Sequence, residues 1–243
     1  VVFTGSGPDE LFDGYGLGPQ LNDSTPETIC QDYYERFAWN FSVDMDRLMP
    51  GNTAQEYVTT KYERFLRPYR CATKDPLQLA QLINLHGRMV DYEFRQMDLI
   101  SMRHSIEARS PLASRPVLDR AFSFAPELKQ HNGEDKWIYK QAFRGQIPDR
   151  IIDRKKEGFP TPIEFWFTKS YEDRVRTILD PGNALNALGL IDQDYLRAIW
   201  HERHPAYRCV DYRLYCLERL LHRQKAYVHD STGNTNHAIA SVN

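Results

Sequence analysis

The sequence predicts an α/β protein that is mainly helical, and three observations predict it. The chain opens on a strand–turn–helix pattern, Val1-Val2-Phe3-Thr4-Gly5-Ser6-Gly7-Pro8-Asp9-Glu10-Leu11. From Pro26 onward, apolar residues recur at helical spacing between proline and glycine stops. Neither an internal repeat nor a low-complexity linker interrupts the 243 residues. One strand followed by seven or more helices is unusual for a self-contained domain, because a strand needs neighbours. The remaining strands are therefore expected upstream, and the chain is expected to be the C-terminal portion of something longer.

The elements follow in order. Val1, Val2 and Phe3 predict a short buried strand running into a tight turn. Gly5 and Gly7 permit close backbone approach or a positive φ, and Pro8 suits the first position of a helix. Thr25-Pro26-Glu27 predicts a helix start, with Ile29, Tyr33, Phe37 and Phe41 on one face. Pro50-Gly51 ends that helix, and Asn52 or Thr53 is expected to cap the next, which closes near Arg67-Pro68. Asp75-Pro76 opens a longer helix, buried on more than one side through Leu77, Leu82, Leu85, Met89, Tyr92 and Phe94. Ser114-Arg115-Pro116 starts a short helix stopped by Pro126. Asp135 to Gly145 is another, with Trp137, Ile138, Ala142 and Phe143 inward. Residues 146–162 read mostly as loop. Three helices are expected from Tyr171 to His229, split at Pro181-Gly182 and near Gly189, so that residues 1–229 form the C-terminal portion of a domain and 230–243 a frayed polar tail.

A formal net charge of −2 leaves no basic field to attract nucleic acid. No apolar run reaches membrane-spanning length, and no signal-peptide pattern opens the chain. The four cysteines lack zinc-ligand spacing and read as scattered thiols of a cytoplasmic protein.

Three stretches are candidates for chemistry. At the opening corner, Asp9 and Glu10 occupy the first turn of a helix, where carboxylates favour the dipole and can reach a cation. Taken alone, this reads equally well as an ordinary strand-to-helix connection. His104, Glu107 and Arg109 stand close together in Asp98-Leu99-Ile100-Ser101-Met102-Arg103-His104-Ser105-Ile106-Glu107-Ala108-Arg109-Ser110-Pro111. They suit either acid–base work or a local ion pair. Arg154-Lys155-Lys156-Glu157-Gly158-Phe159 is a compact cationic loop, or a solvated charge run.

Together these stretches resemble the asparagine synthetase family, which forms amides by way of an ATP-derived acyl-adenylate. Thr4-Gly5-Ser6-Gly7-Pro8-Asp9-Glu10-Leu11-Phe12-Asp13-Gly14-Tyr15 is similar to its S-G-x-G-x-D-E-L-F-x-G-Y segment. The stretch from Asp98 to Pro111 is similar to D-R-M-S-M-A-H-S-L-E-V-R-V-P, and Lys156-Glu157-Gly158-Phe159 falls in R-x-K-x-G-F-x-x-P. The preludes of that last motif are present as Lys136 to Ala142 and Ile147 to Ile151.

The resemblance implies an ATP-pyrophosphatase (adenine nucleotide alpha hydrolase-like) synthetase domain using ATP and Mg²⁺. It implies that Asp9 holds magnesium pyrophosphate, with Gly5, Ser6 and Gly7 shaping the loop. Lys156 would stabilise charge on the reacting phosphate and acyl groups, and Glu107 would serve as site wall or base. Such a step builds negative charge between two anions, so a lysine and a carboxylate-held cation are what it requires. Aspartate is the implied acid, and ammonia would come from glutamine through a glutaminase domain absent from this sequence.

The departures keep alternatives open. Ser6 stands where asparagine-forming members carry Glu and β-lactam-forming members Tyr. Leu112-Ala113-Ser114 replaces F-L-D, and the S-G-G-x-D-S pyrophosphate loop is not in this sequence. A β-lactam or lasso-peptide type macrolactam cyclase and a non-catalytic scaffold are the competing expectations.

Overall fold

A computed structural model describes residues 1–38, 43–51, 54–155, 168–202 and 208–232. It divides into two compact units. The first comprises Val1–Trp39 with Tyr57–Glu157, and the second Asn40–Glu56 with Gly158–Asn243. In chain order, β1 (Val2–Phe3) leads into α1 (Pro8–Leu11), α2 (Leu17–Gln20) and α3 (Ile29–Tyr33). Next come α4 (Met45–Leu48), α5 (Ala54–Leu66), α6 (Pro76–Asn84) and α7 (Arg95–Met102). Then β2 (Ala108–Arg109), α8 (Arg115–Ser123), α9 (Pro126–Lys129), β3 (Gln130–His131), β4 (Glu134–Asp135), α10 (Trp137–Phe143) and α11 (Asp149–Ile152) complete the first unit, to which all of these belong except α4 and the first residues of α5, which are part of the second. The second adds α12 (Lys169–Val175), α13 (Ala184–Ala187), α14 (Gln193–Glu202) and α15 (Arg208–Thr232).

Local chemistry accounts for the clearest helix starts. Asp75 is extended and its carboxylate accepts from the Gln78 amide at 2.8 Å, with Pro76 in the first turn of α6. Behind α6 the chain winds as a π-helix, Leu85–Phe94, before returning to α-helical geometry in α7. The π winding brings residues five apart onto one face, and Arg88 Nε meets Glu93 Oε1 at 3.1 Å.

The core of the first unit is built from Leu17, Leu21, Ile29, Leu66, Leu79 and Ile83, with the Tyr33 hydroxyl donating to Asn84 at 2.7 Å. A smaller cluster sets Leu11 and Phe12 against Ala121, with Val117, Ile138 and Tyr139 packed on it. In the second unit Leu48, Val175, Ile178, Leu185, Leu196 and Val210 form a separate core. There the Glu218 carboxylate reaches from α15 to the amides of Ala184 and Leu185, each at 2.9 Å, and caps α13.

Several sequence expectations need correction. The opening strand is exposed rather than buried: Val1 and Phe3 are 73% and 74% accessible. It pairs in parallel with β2, Val2 opposite Ala108 and Phe3 opposite Arg109, and among the described residues that two-stranded sheet has no further strand. Parallel strands are ordinarily covered on both faces, so apolar β1 side chains carry a burial pattern that these residues alone do not fulfil.

The helix expected from Pro26 begins at Ile29, and residues 26–28 form a turn in which Thr25 Oγ1 accepts from the Glu27 and Thr28 amides. Tyr92, expected in the core, is exposed. Residues 149–152 form a helical turn inside the expected loop. Among the described residues four helices rather than three cover the part from Tyr171 onward, and Asp230 to Thr232, assigned to the tail, still belong to α15. The expectations for Phe41, Asn52, Thr53 and the rest of the tail fall outside the described residues. Among the described residues no helix is long and apolar enough to cross a membrane.

Candidate active site

Motif by motif, the first unit builds a site around α1. β1 delivers the chain to Gly7, whose φ of +121° turns it into the helix, with Pro8 in the first turn. A side chain on Gly7 would meet Leu112 O at 3.1 Å and Ala113 Cβ at 3.2 Å, so the first two motifs touch here. They are also tied by Val2 N–H to Glu107 O and Thr4 N–H to Arg109 O, both 2.8 Å, and by a 2.8 Å Thr4–Ser110 hydroxyl pair. Gly5, expected alongside Gly7 to need special backbone freedom, has no positive φ and is exposed, while Ser6 is half-buried.

Asp9 opens onto a cleft of about 790 Å³. Lys136 Nζ donates to Asp9 Oδ1 at 2.6 Å, with side chains 22% and 33% accessible respectively. Lys140, one turn along α10, lines the same cleft and donates to Glu134 at 2.9 Å. Arg154 and Lys155 line it from beyond α11, so the structure joins the first motif to the start of the cationic run. Lys156, the lysine expected to act, lies outside the described residues. Tyr139, Phe143, Ile147 and Ile151 give the cleft an apolar wall. Burial, and after it the charge of Asp9, pushes the Tyr139 hydroxyl up from its ordinary value.

Glu107 does not line this cleft. Its exposed carboxylate accepts from Arg109 Nε at 3.0 Å, and this hydrogen bond, with the guanidinium charge behind it, holds the carboxyl below its usual range. His104 is likewise exposed.

Sequence reading missed two features. In sequence Lys136 is only the start of a motif prelude, whereas in the structure its ammonium bonds Asp9. It is delivered by a β3–β4 hairpin whose turn, Asn132-Gly133, has φ of +51° and +78°. An Asn-Gly pair between two extended residues is the strongest short-range hairpin signal, so this element was legible. The other is buried Glu10, which accepts from the Tyr15 hydroxyl at 2.6 Å, with Arg88 stacked 4.7 Å over the Tyr15 ring. Burial, then Glu93, raises the Glu10 carboxyl against the Tyr15 hydrogen bond, and burial, then Glu10, pushes the Tyr15 hydroxyl up against the pull of Arg88. The signal was the Asp-Glu pair itself, two adjacent carboxylates that a helix must aim in different directions.

The donor set suits a cation that arrives with its own phosphate oxygens. Among the described residues no cluster of three or more His, Cys, Asp or Glu forms a dedicated metal cage. Mg²⁺ is commonly held by one or two carboxylates together with substrate phosphates, and Asp9 beside Lys136, Lys140 and Arg154 fits that pattern.

A family model described as Asparagine synthase matches residues 1–227. The chain belongs to the asparagine synthase family. It is 25% identical to Asparagine synthetase [glutamine-hydrolyzing] 1 of Bacillus subtilis (strain 168) over an alignment of 210 positions that covers 74% of this chain and 33% of that protein. It is 28% identical to Asparagine synthetase [glutamine-hydrolyzing] 3 of the same organism over an alignment of 190 positions that covers 73% of this chain and 29% of that protein. The chain thus spans a third or less of the curated relatives it matches. No solved structure matches it with significance.

Proposed function

We propose that the chain carries part of the active site of an ATP-dependent carbon–nitrogen ligase of the α/β ATP-pyrophosphatase type. On this reading a carboxylate attacks the α-phosphate of ATP, pyrophosphate leaves, and an amine displaces AMP from the acyl-adenylate to give an amide. Aspartate as the acid and glutamine-derived ammonia as the nucleophile make the product asparagine. The observation that carries the reading is the Asp9–Lys136 pair in a cleft lined also by Lys140, Arg154 and Lys155, with Glu134, Asp135 and Asp153 as its other carboxylates.

Asp9 is the residue proposed to hold Mg²⁺, whose charge would offset that of the departing pyrophosphate. Lys136, Lys140, Arg154 and Lys155 are proposed to bind the phosphate oxygens, and Lys156 to stabilise charge between the reacting acyl and phosphate groups. Preorganised cations of this kind act with little reorganisation, which is worth several kcal/mol in a transition state. Glu107 keeps a proposed place in the wall beside the corner, through its carbonyl, which accepts from the Val2 amide just before β2, rather than through a contact with Asp9.

Ser6 favours a second reading within the same chemistry, because an ordinary hydroxyl is a poor base. A cyclase, in which the substrate supplies its own amine, would have no need of ammonia, and the apolar wall of Tyr139, Phe143, Ile147 and Ile151 suits a larger acid.

ATP–pyrophosphate exchange by the full-length protein separates the readings. Exchange dependent on aspartate, followed by asparagine formation from glutamine, supports the first. Exchange with another acid and no ammonia requirement supports the second. A protein that neither exchanges nor binds magnesium pyrophosphate refutes both.

A further inference from the structure

One buried amine is not among the residues that line the cleft. Lys129 ends α9 and is 1% accessible. Its Nζ donates to Gln81 Oε1 at 2.6 Å, and Gln81 Nε2 donates onward to Leu11 O at 2.8 Å. Leu11 is the last residue of α1, two positions after Asp9, and Lys129 is the residue immediately before β3. The hairpin that begins there returns through β4 directly into Lys136.

We propose that Lys129 is a positioning residue: through Gln81 it fixes the helix that carries Asp9 against the hairpin that delivers Lys136.

Three observations support this. First, both elements are too small to hold themselves in place. α1 is one helical turn and the hairpin has two residues per strand, so apart from the packing of Phe12 on Tyr139 their relative register depends on a tie between them. Second, Lys136 itself has a φ of +56°, a left-handed conformation that a lysine adopts only when its surroundings impose it. The imposed backbone aims its ammonium at Asp9.

Third, packing alone does not account for an ammonium at this position. Methionine would fill similar space without the cost of removing a charge from water. The carboxylates nearest in effect, Asp13 and Asp75, are engaged elsewhere. Asp13 accepts from the Leu17 and Gly18 amides at 2.6 and 3.0 Å, and Asp75 from Gln78. The Phe122 ring, 5.3 Å from Nζ, adds a cation–π contact. A charge held at such cost, and spent on a glutamine that bonds the end of α1, has a geometric task.

The inference rests on the proposed function for its consequence, binding of magnesium pyrophosphate, while the brace can be read separately. In the full-length protein, Lys129→Met and Gln81→Met are compared with the parent by hydrogen exchange and by calorimetric titration with magnesium pyrophosphate. Both variants are expected to speed exchange together in residues 8–14 and 130–137, with the core of α6 unchanged. Both are expected to weaken pyrophosphate binding about tenfold, the worth of one charge-assisted hydrogen bond. In a Lys136→Ala background Lys129→Met should cost no further affinity, because the pair it positions is gone.

Unchanged exchange in both segments overturns the brace. So does an affinity loss that is the same with and without Lys136, the result expected of general destabilisation. If the parent protein binds no pyrophosphate, the proposed function fails and the exchange pattern alone decides the brace.

Discussion

Gly14 follows Asp9 by one helical turn and a residue, and replacing it by alanine tests whether the placement of Asp9 matters. A Cβ built on Gly14 would lie 2.1 Å from Asp9 Oδ1, 2.8 Å from Asp9 Cα and 2.9 Å from Asp9 Cγ. Contacts under 3.0 Å are essentially never seen for a real Cβ, so something must move. The carboxylate can swing away, but the clash with Cα is with backbone, and relieving it shifts α1. Overpacking of this kind costs about 1–3 kcal/mol.

Either movement draws Oδ1 away from Lys136, now 2.6 Å distant. At this exposure the resting contact is worth about 1 kcal/mol or less, so the larger loss falls on the charged contact Asp9 would make to a bound cation, worth about 1.5–3 kcal/mol. Gly14→Ala should therefore weaken magnesium pyrophosphate binding and slow ATP–pyrophosphate exchange by about tenfold. Circular dichroism at the assay temperature would confirm that the variant is folded. Asp9→Ala should lose more, and Gly14→Ala added to Asp9→Ala should lose nothing further. A folded Gly14→Ala protein with parental exchange would show that Asp9 position does not limit the reaction.

Other consequences follow from single contacts. Glu218→Ala strands the buried amides of Ala184 and Leu185, and should lower the stability of the second unit by about 3 kcal/mol, measured by urea unfolding. Gly133→Ala puts a side chain into a left-handed turn position with open space around it, so only backbone strain is added. About 1 kcal/mol of stability should be lost, read from the thermal midpoint.

Burial lowers the Lys129 ammonium from 10.5 to about 8, against the pull of Asp75 and Asp13. The folded protein then gives up this proton before the unfolded chain does, so between about pH 8 and 10.5 the unfolded state binds more protons and stability rises with pH. Lys129→Met should remove that rise. It is best read as the difference between the two proteins, since buried Tyr15 and Tyr33, whose hydroxyls are pushed up, act in the opposite sense above pH 10.

How much was legible depended on whether the signal was local. Asp75-Pro76 announced its helix because the cap and the proline act within one turn. Ser114-Arg115-Pro116 and Pro126 bounded α8 for the same reason. The opening corner was read correctly as strand, turn and helix, since Gly7 and Pro8 permit little else.

Where partners come from far along the chain, the sequence was silent. Lys136 lies 127 residues from Asp9, and no spacing rule reveals that a lysine will fold back onto a particular carboxylate. The π winding of Leu85–Phe94 left Tyr92 exposed where an α-helical count placed it inside. β1 was misjudged because apolar composition reports what a strand is suited to bury against, and β2 supplies an edge rather than a cover.

The strength of the Asp9–Lys136 pair bears on how such a cleft would work. A resting ion pair this accessible is worth about 1 kcal/mol or less, because water competes for both partners. Were it deeply buried, opening it would leave an uncompensated charge at a cost of about 3–5 kcal/mol, and any ligand would have to repay that first. At its observed exposure the pair holds both side chains near their working positions without resisting exchange. On the proposed function, pyrophosphate oxygens take over Lys136 and a cation takes over Asp9, each replacing a weak internal contact with a stronger charged one. Lys136→Ala should then reduce pyrophosphate affinity by more than the resting pair is worth. A loss of stability as large as the loss of binding free energy would instead assign the pair to folding alone.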